Sequence, residues 1–376
     1  MRHPQKIVVQ HHSREDNIVY CVEDIWRNEV TNAPLNNRGW VFQERALAPR
    51  VVNFCSSQVF WECKEHEACE SFPDGLPPTL RDGYKKRIAI GVASSSNQSF
   101  LETWSEIVEG YNRTKFTRAD DKLVALSGLV KELKPVLGDE FIAGMWRENL
   151  LPQLLWRTGP SGFYRERARR PELQQGPSWS WASIDASVYN NATTFLKDVK
   201  PLAEILSLDI TPRGEPSFGR VSAAALNIRG PLTRAKLMPT MSESALRATL
   251  PLWTHDEFRV RLASMNGPGN PTMAIVLLEA DVYKVVPSSI FRQPKYPFAV
   301  AVGENFYLLQ ISLRNDDVME GLILLPTGEK GEYRRVGAWV SYNDENRKKQ
   351  LEHKPFLEPH EFLEQDDAGD ATIRII

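Results

Sequence analysis

Short extended patterns dominate the first eighty residues of the chain. β-Branched and aromatic residues are concentrated in Arg50–Phe54 and again in Gln58–Cys63. The intervening Cys55–Ser57 has the length of a tight connection between antiparallel strands, so these residues predict a β-hairpin. Just before it, the composition of Gly39–Leu47 favours about two turns of helix, and Pro49 limits how far that helix extends.

From about residue 98 the apolar positions follow the helical period. One helical face carries Phe100, Leu101, Trp104, Ile107, Val108 and Tyr111. A second helix is predicted over residues 119–134, with Thr117 and Asp120 as a capping-box signature. A third is predicted over Asp139–Leu151, ended by Pro152. Its inward positions are Phe141, Ile142, Met145 and Trp146.

Beyond residue 200 the pattern returns to strands. The predicted strands are Val221–Arg229, Met273–Val286, Asn305–Leu313, Gly321–Pro326 and Tyr333–Ser341. Turn residues between them favour an antiparallel domain, either barrel-like or a sandwich. We interpret residues 232–272 as a long insertion. The charged residues 346–376 predict a mobile tail.

These patterns together predict a mixed α+β protein with four segments. Residues 1–80 carry the hairpin, residues 81–200 are helical, residues 201–345 are β-rich and residues 346–376 form the tail. The helical segment ends in Pro177–Ser183, where Trp179 and Trp181 alternate with small polar residues. In an extended segment this alternation places both indoles on one face.

Composition narrows the classes of function. The chain has 376 residues, room for two or three cores at roughly 150 residues each. With 46 Lys+Arg against 48 Asp+Glu the net charge is −2, so we expect no dedicated nucleic-acid binding. Arg165–Arg170 reads better as a solvated loop than as a phosphate-binding patch. No signal peptide and no membrane-length apolar run is present, and four cysteines favour a reducing compartment, so we expect a cytoplasmic protein.

Tryptophan is concentrated in the first half, with eight of the ten residues there. Four of them, Trp40, Trp61, Trp179 and Trp181, have two interpretations. They stack on a ligand ring, or they form a packed aromatic seam that joins the N-terminal block to the helical region. We favour the seam, because each ring buries on the order of 150–250 Å².

Metal and nucleophile signatures are weak. Cys63, His66 and Cys69 are spaced C-x2-H-x2-C, with Cys55 as a possible fourth zinc ligand. Three ligands within seven residues rarely reach one ion, so we expect no metal. The chain contains no G-x-S-x-G, H-E-x-x-H or Walker A motif.

Two sets of segments carry a family resemblance. Pro34–Arg50 with Phe60–Cys63 resembles the closing block of the fungal heterokaryon incompatibility (HET) domain, a pattern close to R-G-W-x-x-Q-E-R-x-L-x-x-R. Asp121–Gly128, Ala143–Trp146, Leu154–Trp156 and Pro177–Ser183 are similar to the region that follows that domain. The residues that match the family motifs are Arg38, Gly39, Trp40, Gln43, Glu44, Arg45, Arg50, Trp61, Glu62, Cys63, Asp121, Lys122, Trp146, Trp156, Trp179 and Trp181.

The chain departs from the family at its N-terminal end. Members carry an S-Y-x-W-G-like and a W-I-D-x-L-C-I-x-Q-like segment upstream, on strands of an α/β core similar to TIR domains. Both are absent, and 37 residues precede Arg38. The resemblance therefore implies a partial α/β HET remnant followed by the helical and β-rich regions.

The resemblance implies a role in non-self recognition and regulated cell death, a form of fungal innate immunity, through protein partners. One alternative is a NAD-cleaving, TIR-like effector in which the Glu44 carboxylate steadies an oxocarbenium-like centre. NAD is then a substrate, and we expect no cofactor. We favour a structural interpretation of Glu44, in which Gln43, Glu44 and Arg45 pair with neighbours and Arg38 or Arg50 closes a salt bridge. A third possibility is a non-catalytic interaction module.

Overall fold

The chain forms two compact units, residues 1–103 with 114–116 and residues 104–113 with 117–376. A computed structural model describes residues 5–9, 17–21, 24–83, 85, 88, 97–118, 120–158, 176–189, 199–213, 221–238, 258–263, 273–280, 305–315, 318–342 and 357–376. Helices occur together with a large, mainly antiparallel sheet, so the predicted α+β class is confirmed. The predicted segment boundaries at residues 80, 200 and 345 stay predictions. The arginine-rich loop at Arg165–Arg170 lies outside the described residues.

The first unit is built from short elements. They are β1 (Gln5–Val9), β2 (Asn17–Cys21), a π-helical turn (Arg27–Thr31), α1 (Gly39–Leu47), β3 (Arg50–Phe54), β4 (Val59–Cys63), β5 (Glu67–Cys69) and a 3-10 turn (Pro78–Leu80). Strands β3 and β4 pair antiparallel from Arg50↔Cys63 to Phe54↔Val59, so the predicted hairpin and the helix before it are confirmed. The core of the first unit centres on Trp26. Its indole ring lies edge-on to the Phe60 ring, with 5.6 Å between the ring centroids.

Helix α2 (Asn97–Asn112) follows the predicted pattern. Its six predicted inward residues are all buried. The predicted helix over 119–134 is instead two, α3 (Asp121–Val124) and α4 (Ser127–Leu137), separated by a turn at Ala125 and Leu126. Asp120 stands at the N-cap of α3 without a side-chain cap, so the predicted capping box is wrong. Among the described residues, none of the helices has an apolar stretch of the length and hydropathy that crossing a membrane requires.

The predicted third helix is wrong over most of its length. Residues 141–146 form a hairpin of β6 (Phe141–Ile142) and β7 (Met145–Trp146), and a short α5 follows at Leu150–Gln153. The turn residues Ala143 and Gly144 have φ of +49° and +93°, and two successive left-handed residues end any helix and reverse the chain. All four predicted inward side chains are nevertheless buried.

The Pro177–Ser183 segment is also not extended. A turn at Ser178–Ser180 leads into a 3-10 helix at Trp181–Ser183, and Ser180 caps it by accepting a hydrogen bond from the Ala182 N–H at 2.9 Å. Small serines that bond the local backbone favour such turns over strands. Two short strands, β8 (Arg157–Thr158) and β9 (Val188–Tyr189), pair on either side of the segment.

The remaining strands form one large sheet. They are β10 (Val199–Pro201), β11 (Glu204–Pro212), β12 (Val221–Gly230), β13 (Leu232–Met238), β14 (Phe258–Ala263), β15 (Met273–Ala280), β16 (Asn305–Arg314), β17 (Val318–Pro326), β18 (Glu332–Tyr342), β19 (Glu364–Gln365) and β20 (Ala371–Ile375). The described pairings run β16–β13–β14–β15–β18–β17 and return to β16, a closed antiparallel ring. A closed ring of antiparallel strands is what defines a barrel, so this closure matches the barrel-like alternative of the prediction.

Two parts of the β-rich region differ from prediction. Strands β13 and β14 lie within residues 232–272, so the interpretation of that whole stretch as an insertion is wrong. The prediction of a mobile tail is wrong for β20. The buried residues of this strand pair antiparallel with β12 and parallel with β18. Alternating apolar residues at Ala371, Ile373 and Ile375 account for this strand.

Gly144 gives a test of the β6–β7 hairpin. An added Cβ at Gly144 would lie 2.9 Å from the Trp181 ring, whereas one at Gly138, which also has positive φ, would meet nothing within 4 Å. Both alanine substitutions force a left-handed backbone, costing about 1–2 kcal/mol. We expect Gly144→Ala to lose at least about 1 kcal/mol more than Gly138→Ala, because it also displaces Trp181. Urea unfolding of the two variants measures the difference, and equal losses would contradict the contact.

Candidate functional site

The R-G-W block begins at the N-terminus of α1. Arg38 occupies the N-cap position, and its neighbour Gly39 is buried, with its N–H donating to the Lys115 carbonyl at 3.1 Å. A Cβ on Gly39 would lie 1.8 Å from the Phe116 ring. No larger residue fits unless that ring moves. The glycine of the block therefore has a packing role.

Arg45 and Glu62 form a two-pronged ion pair between α1 and β4. The Arg45 Nε and Nη2 atoms donate to Glu62 Oε1 and Oε2 at 2.6 and 2.9 Å. The Glu62 side chain is fully buried and that of Arg45 is nearly so. Two hydrogen bonds to a desolvated carboxylate fix both position and orientation. Two of the predicted motif residues thus fasten the helix to the hairpin.

Lys85 and Glu67 lie beside this pair, and sequence reasoning did not single them out. The Lys85 Nζ atom donates to the carbonyls of Arg45 and Ala48, and burial lowers the pKa of its amine. Glu67 faces Glu62 across β4 and β5, and burial raises the pKa of its carboxyl. One Glu67 oxygen accepts from the Gly83 N–H at 2.8 Å, and the other has no hydrogen-bond partner among the described residues.

Glu44 lies apart from that buried cluster. Its side chain is exposed on α1, as are those of Arg38 and Arg50. Arg45 forms the close ion pair of the block, with Glu62, and among the described residues neither Arg38 nor Arg50 closes the predicted salt bridge. Gln43 is half-buried on the same helix. A carboxylate open to water is poorly placed to stabilise a developing positive charge.

The cysteines of the first unit have separate surroundings. The Cys55 thiol donates to the Glu29 carbonyl at 3.2 Å, Cys63 Sγ accepts from the His66 N–H at 3.3 Å, and Cys69 is buried. Over the described part of the chain, no three His, Cys, Asp or Glu side chains are grouped so that they could hold a metal ion.

The Pro177–Ser183 segment makes several buried hydrogen bonds in the second unit, although the Trp179 indole nitrogen has no hydrogen-bond partner among the described residues. The Trp156 indole donates to the Trp179 carbonyl at 2.7 Å, and the Trp181 indole donates to the Gly144 carbonyl at 2.7 Å. The Ser180 hydroxyl donates to the Ala143 carbonyl at 2.5 Å. These bonds satisfy polar groups that are entirely buried, as burial demands.

Lys122 contacts the same segment from α3. Its Nζ atom donates to the Ile184 carbonyl at 2.5 Å and lies 5.5 Å from the centre of the Trp181 ring. The Tyr111 ring meets Trp181 edge-on at 6.2 Å, and the Tyr111 hydroxyl donates to the Lys122 carbonyl. Burial lowers the pKa of the Lys122 amine to about 8, although the negative charge of Asp185 acts to raise it.

Arg335 reaches the segment from β18. Its guanidinium carbon is 3.5 Å from the centre of the Trp156 ring, and the guanidinium donates to the Trp156 carbonyl. The Arg335 N–H donates to the Ser178 hydroxyl at 2.9 Å, while the Ser178 N–H donates to the Ile376 carbonyl at 3.0 Å. The segment therefore touches the helical elements on one side and strands of the sheet on the other.

A buried ion pair and a second polar cluster also escaped sequence reasoning. Arg157 Nη2 lies 2.8 Å from Glu320 Oε1, with both side chains under one-tenth exposed. Glu361 accepts from Arg234 Nε at 2.7 Å and from the Tyr307 hydroxyl. Although burial acts to raise it, these hydrogen bonds lower the pKa of the Glu361 carboxyl. Such partners lie 54 to 163 residues apart in the sequence, so no local pattern reveals them.

The four tryptophans of the predicted seam fall into two pairs. Trp179 and Trp181 are buried in the second unit with Trp146 and Trp156. Trp61 is half-buried in β4, and Trp40 exposes 40% of its surface. A single seam of Trp40, Trp61, Trp179 and Trp181 stays a prediction. We call four of the buried tryptophans of the second unit, Trp146, Trp156, Trp179 and Trp181, the tryptophan cluster.

Comparison of the chain with protein-family models, with curated proteins and with solved structures finds no match. The charged motif residues that are buried, Arg45, Glu62 and Lys122, all bond to neighbouring protein groups.

The lowered pKa of the buried Lys122 amine predicts that the stability of the protein depends on pH. Because the folded-state pKa lies near 8 and the unfolded value near 10.5, the native protein releases this proton first. The free energy of unfolding then rises with pH across that window, on the order of 3 kcal/mol. We expect urea unfolding of Lys122→Met to lack this rise and the exposed Lys131→Met control to keep it. The same rise in both variants would contradict the assignment.

We expect removal of the Arg45 side chain to cause a large loss of stability in the first unit. Arg45→Met leaves the Glu62 carboxylate buried without its partner, and breaking such a pair costs about 3–5 kcal/mol. Arg50→Met, an exposed arginine of the same block, should change stability by about 0.5 kcal/mol or less. Thermal unfolding followed by circular dichroism compares the two. Similar losses would show that the Arg45–Glu62 pair does not hold α1 to the hairpin.

Proposed function

We propose that this chain is a non-catalytic component of the fungal heterokaryon incompatibility system, which takes part in non-self recognition and regulated cell death by contact with a partner protein. The family assignment rests on the R-G-W block and the motifs from Asp121 to Ser183. A cytoplasmic location fits Cys55, Cys63 and Cys69, which are free thiols.

One observation carries the non-catalytic part of the proposal. The buried charged residues of the motifs make internal bonds: Arg45 with Glu62, and Lys122 with the Ile184 carbonyl. A catalytic group has to meet a substrate, and side chains committed to neighbours in a packed interior do not present themselves to one. The remaining carboxylate of the block, Glu44, is exposed on the surface of α1.

The proposed binding to a partner protein follows from the structural role of the same motif residues. The tryptophan cluster and the two ion pairs, Arg45–Glu62 and Arg157–Glu320, lie in the packed interiors of the units. A protein whose motif residues build its interior transmits a signal through its surface, by binding. Loss of stability, rather than loss of a reactive group, is then the effect expected from most motif substitutions.

Expression of the intact chain and of Glu44→Ala in a fungal host tests this proposal. We expect both proteins to slow growth and reduce viability equally, with no fall in cellular NAD, because no step depends on the Glu44 carboxylate. Purified protein should release no nicotinamide from NAD. Arg45→Met serves as the control for a structural defect, and its phenotype should follow its lower abundance.

Two results would contradict the proposal. Restored growth with Glu44→Ala, accompanied by recovery of cellular NAD, would favour the NAD-cleaving alternative. Normal growth with the intact chain at a confirmed protein level would exclude a death-inducing role.

A further inference from the structure

Strand β11 lies at the end of the large sheet. Among the strands that the structure describes, it pairs with β12 and with no other. The outer N–H and C=O groups of an edge strand form a ready template for another strand. The nine residues of β11 are long enough for such an addition.

A groove of about 810 Å³ runs beside this strand. Glu204–Leu208, five consecutive residues, border it. Successive side chains of a strand point to opposite faces, so a space bordered by consecutive residues lies along the strand's edge rather than over one face. The volume falls within the range of about 300–1,000 Å³ that is typical of ligand sites. We call this space the edge groove.

Four of the five β11 residues that border the edge groove are uncharged, namely Ile205, Leu206, Ser207 and Leu208, and the fifth is Glu204. Lysine and proline, which commonly guard natural edges, are absent from these five positions. Leu206 is the extra residue of a β-bulge and exposes 43% of its surface. An apolar side chain is thus available to a bound segment.

The charges of the edge groove are mostly negative. Its lining includes the carboxylates of Asp139, Glu140, Glu148 and Glu204 against one guanidinium, that of Arg147. Arg147 Nη1 lies 2.7 Å from Glu140 Oε2, and Arg229 Nη2 lies 2.6 Å from Glu204 Oε2, so two of the four carboxylates are offset and those of Asp139 and Glu148 remain. The remaining excess favours a positively charged occupant.

We propose that the edge groove binds an extended segment of a partner protein in which lysine or arginine alternates with apolar residues, and that this segment adds to β11 as a further strand. Backbone hydrogen bonds to β11 supply affinity, and the acidic lining selects the charge. This inference deepens the proposed function and rests on it for the class of partner, a protein.

Fluorescence anisotropy with purified full-length protein tests the proposal. The probe is a labelled octapeptide of alternating lysine and valine. We expect saturable binding that weakens with added salt. An octapeptide of alternating glutamate and valine should bind at least about tenfold more weakly. So should the lysine–valine peptide N-methylated at alternate residues, which keeps its charge but loses backbone donors.

Two matched variants locate the site. Glu148→Lys reverses a charge in the edge groove and should weaken binding of the lysine–valine peptide at least about fivefold. Glu132→Lys makes the same change on α4, outside the groove lining, and should leave binding within about twofold.

Three results would overturn the proposal. They are no saturable binding, equal binding of the methylated and unmethylated peptides, and equal effects of the two glutamate variants. A dimer in analytical ultracentrifugation that Leu206→Lys dissociates would assign the groove to a second copy instead. A negative binding result removes this interface, while the growth phenotype remains a separate test of the proposed function.

Discussion

The second unit depends on burying a polar turn. The Pro177–Ser183 segment carries Trp179 and Trp181 into the interior, and its backbone and hydroxyl groups go with them. Buried amide groups without partners cost about 1–3 kcal/mol each, so the segment is stable only where partners surround it. The partners come from the β6–β7 turn, from β18 and from the residues after β20. The four parts therefore have to assemble together.

This requirement explains several local features. Gly144 has the backbone that allows the Trp181 ring to lie against it, and Lys122 is buried because its amine reaches the Ile184 carbonyl. Arg335 contributes both a charge over the Trp156 ring and a backbone donor to Ser178. In the first unit the Arg45–Glu62 pair has the corresponding role, since it connects α1 to the β3–β4 hairpin.

The sequence predicts those elements whose hydrophobic period is clear. Helix α2, the β3–β4 hairpin and strands such as β12 and β17 follow directly from their patterns. Residues 141–146 were misassigned because a short apolar run satisfies both periods, and the left-handed Ala143 gives no compositional signal. Strand β20 was hidden by the charged residues before it. Tertiary pairing, which a single sequence does not display, decides these cases.

The residues of the candidate site also divide into those that a local sequence pattern identifies and those that only tertiary contacts identify. Local motifs identify Arg45, Glu62 and Trp181, but they single out Glu44 as well, whose side chain is exposed on α1. Glu320 was missed because its role arises from a contact with Arg157, 163 residues away in the sequence. A buried charge is recognised only when its partner is known.

The tryptophan cluster forms part of the buried interior of the second unit. The free energy of unfolding of Trp181→Ala, compared with that of the more exposed Trp40→Ala, tests whether this interior depends on Trp181. We expect Trp181→Ala to lose about 3–5 kcal/mol, because it opens a cavity and leaves the Gly144 carbonyl unpaired. We expect Trp40→Ala to lose about 1 kcal/mol or less. An unchanged stability in Trp181→Ala would contradict this dependence.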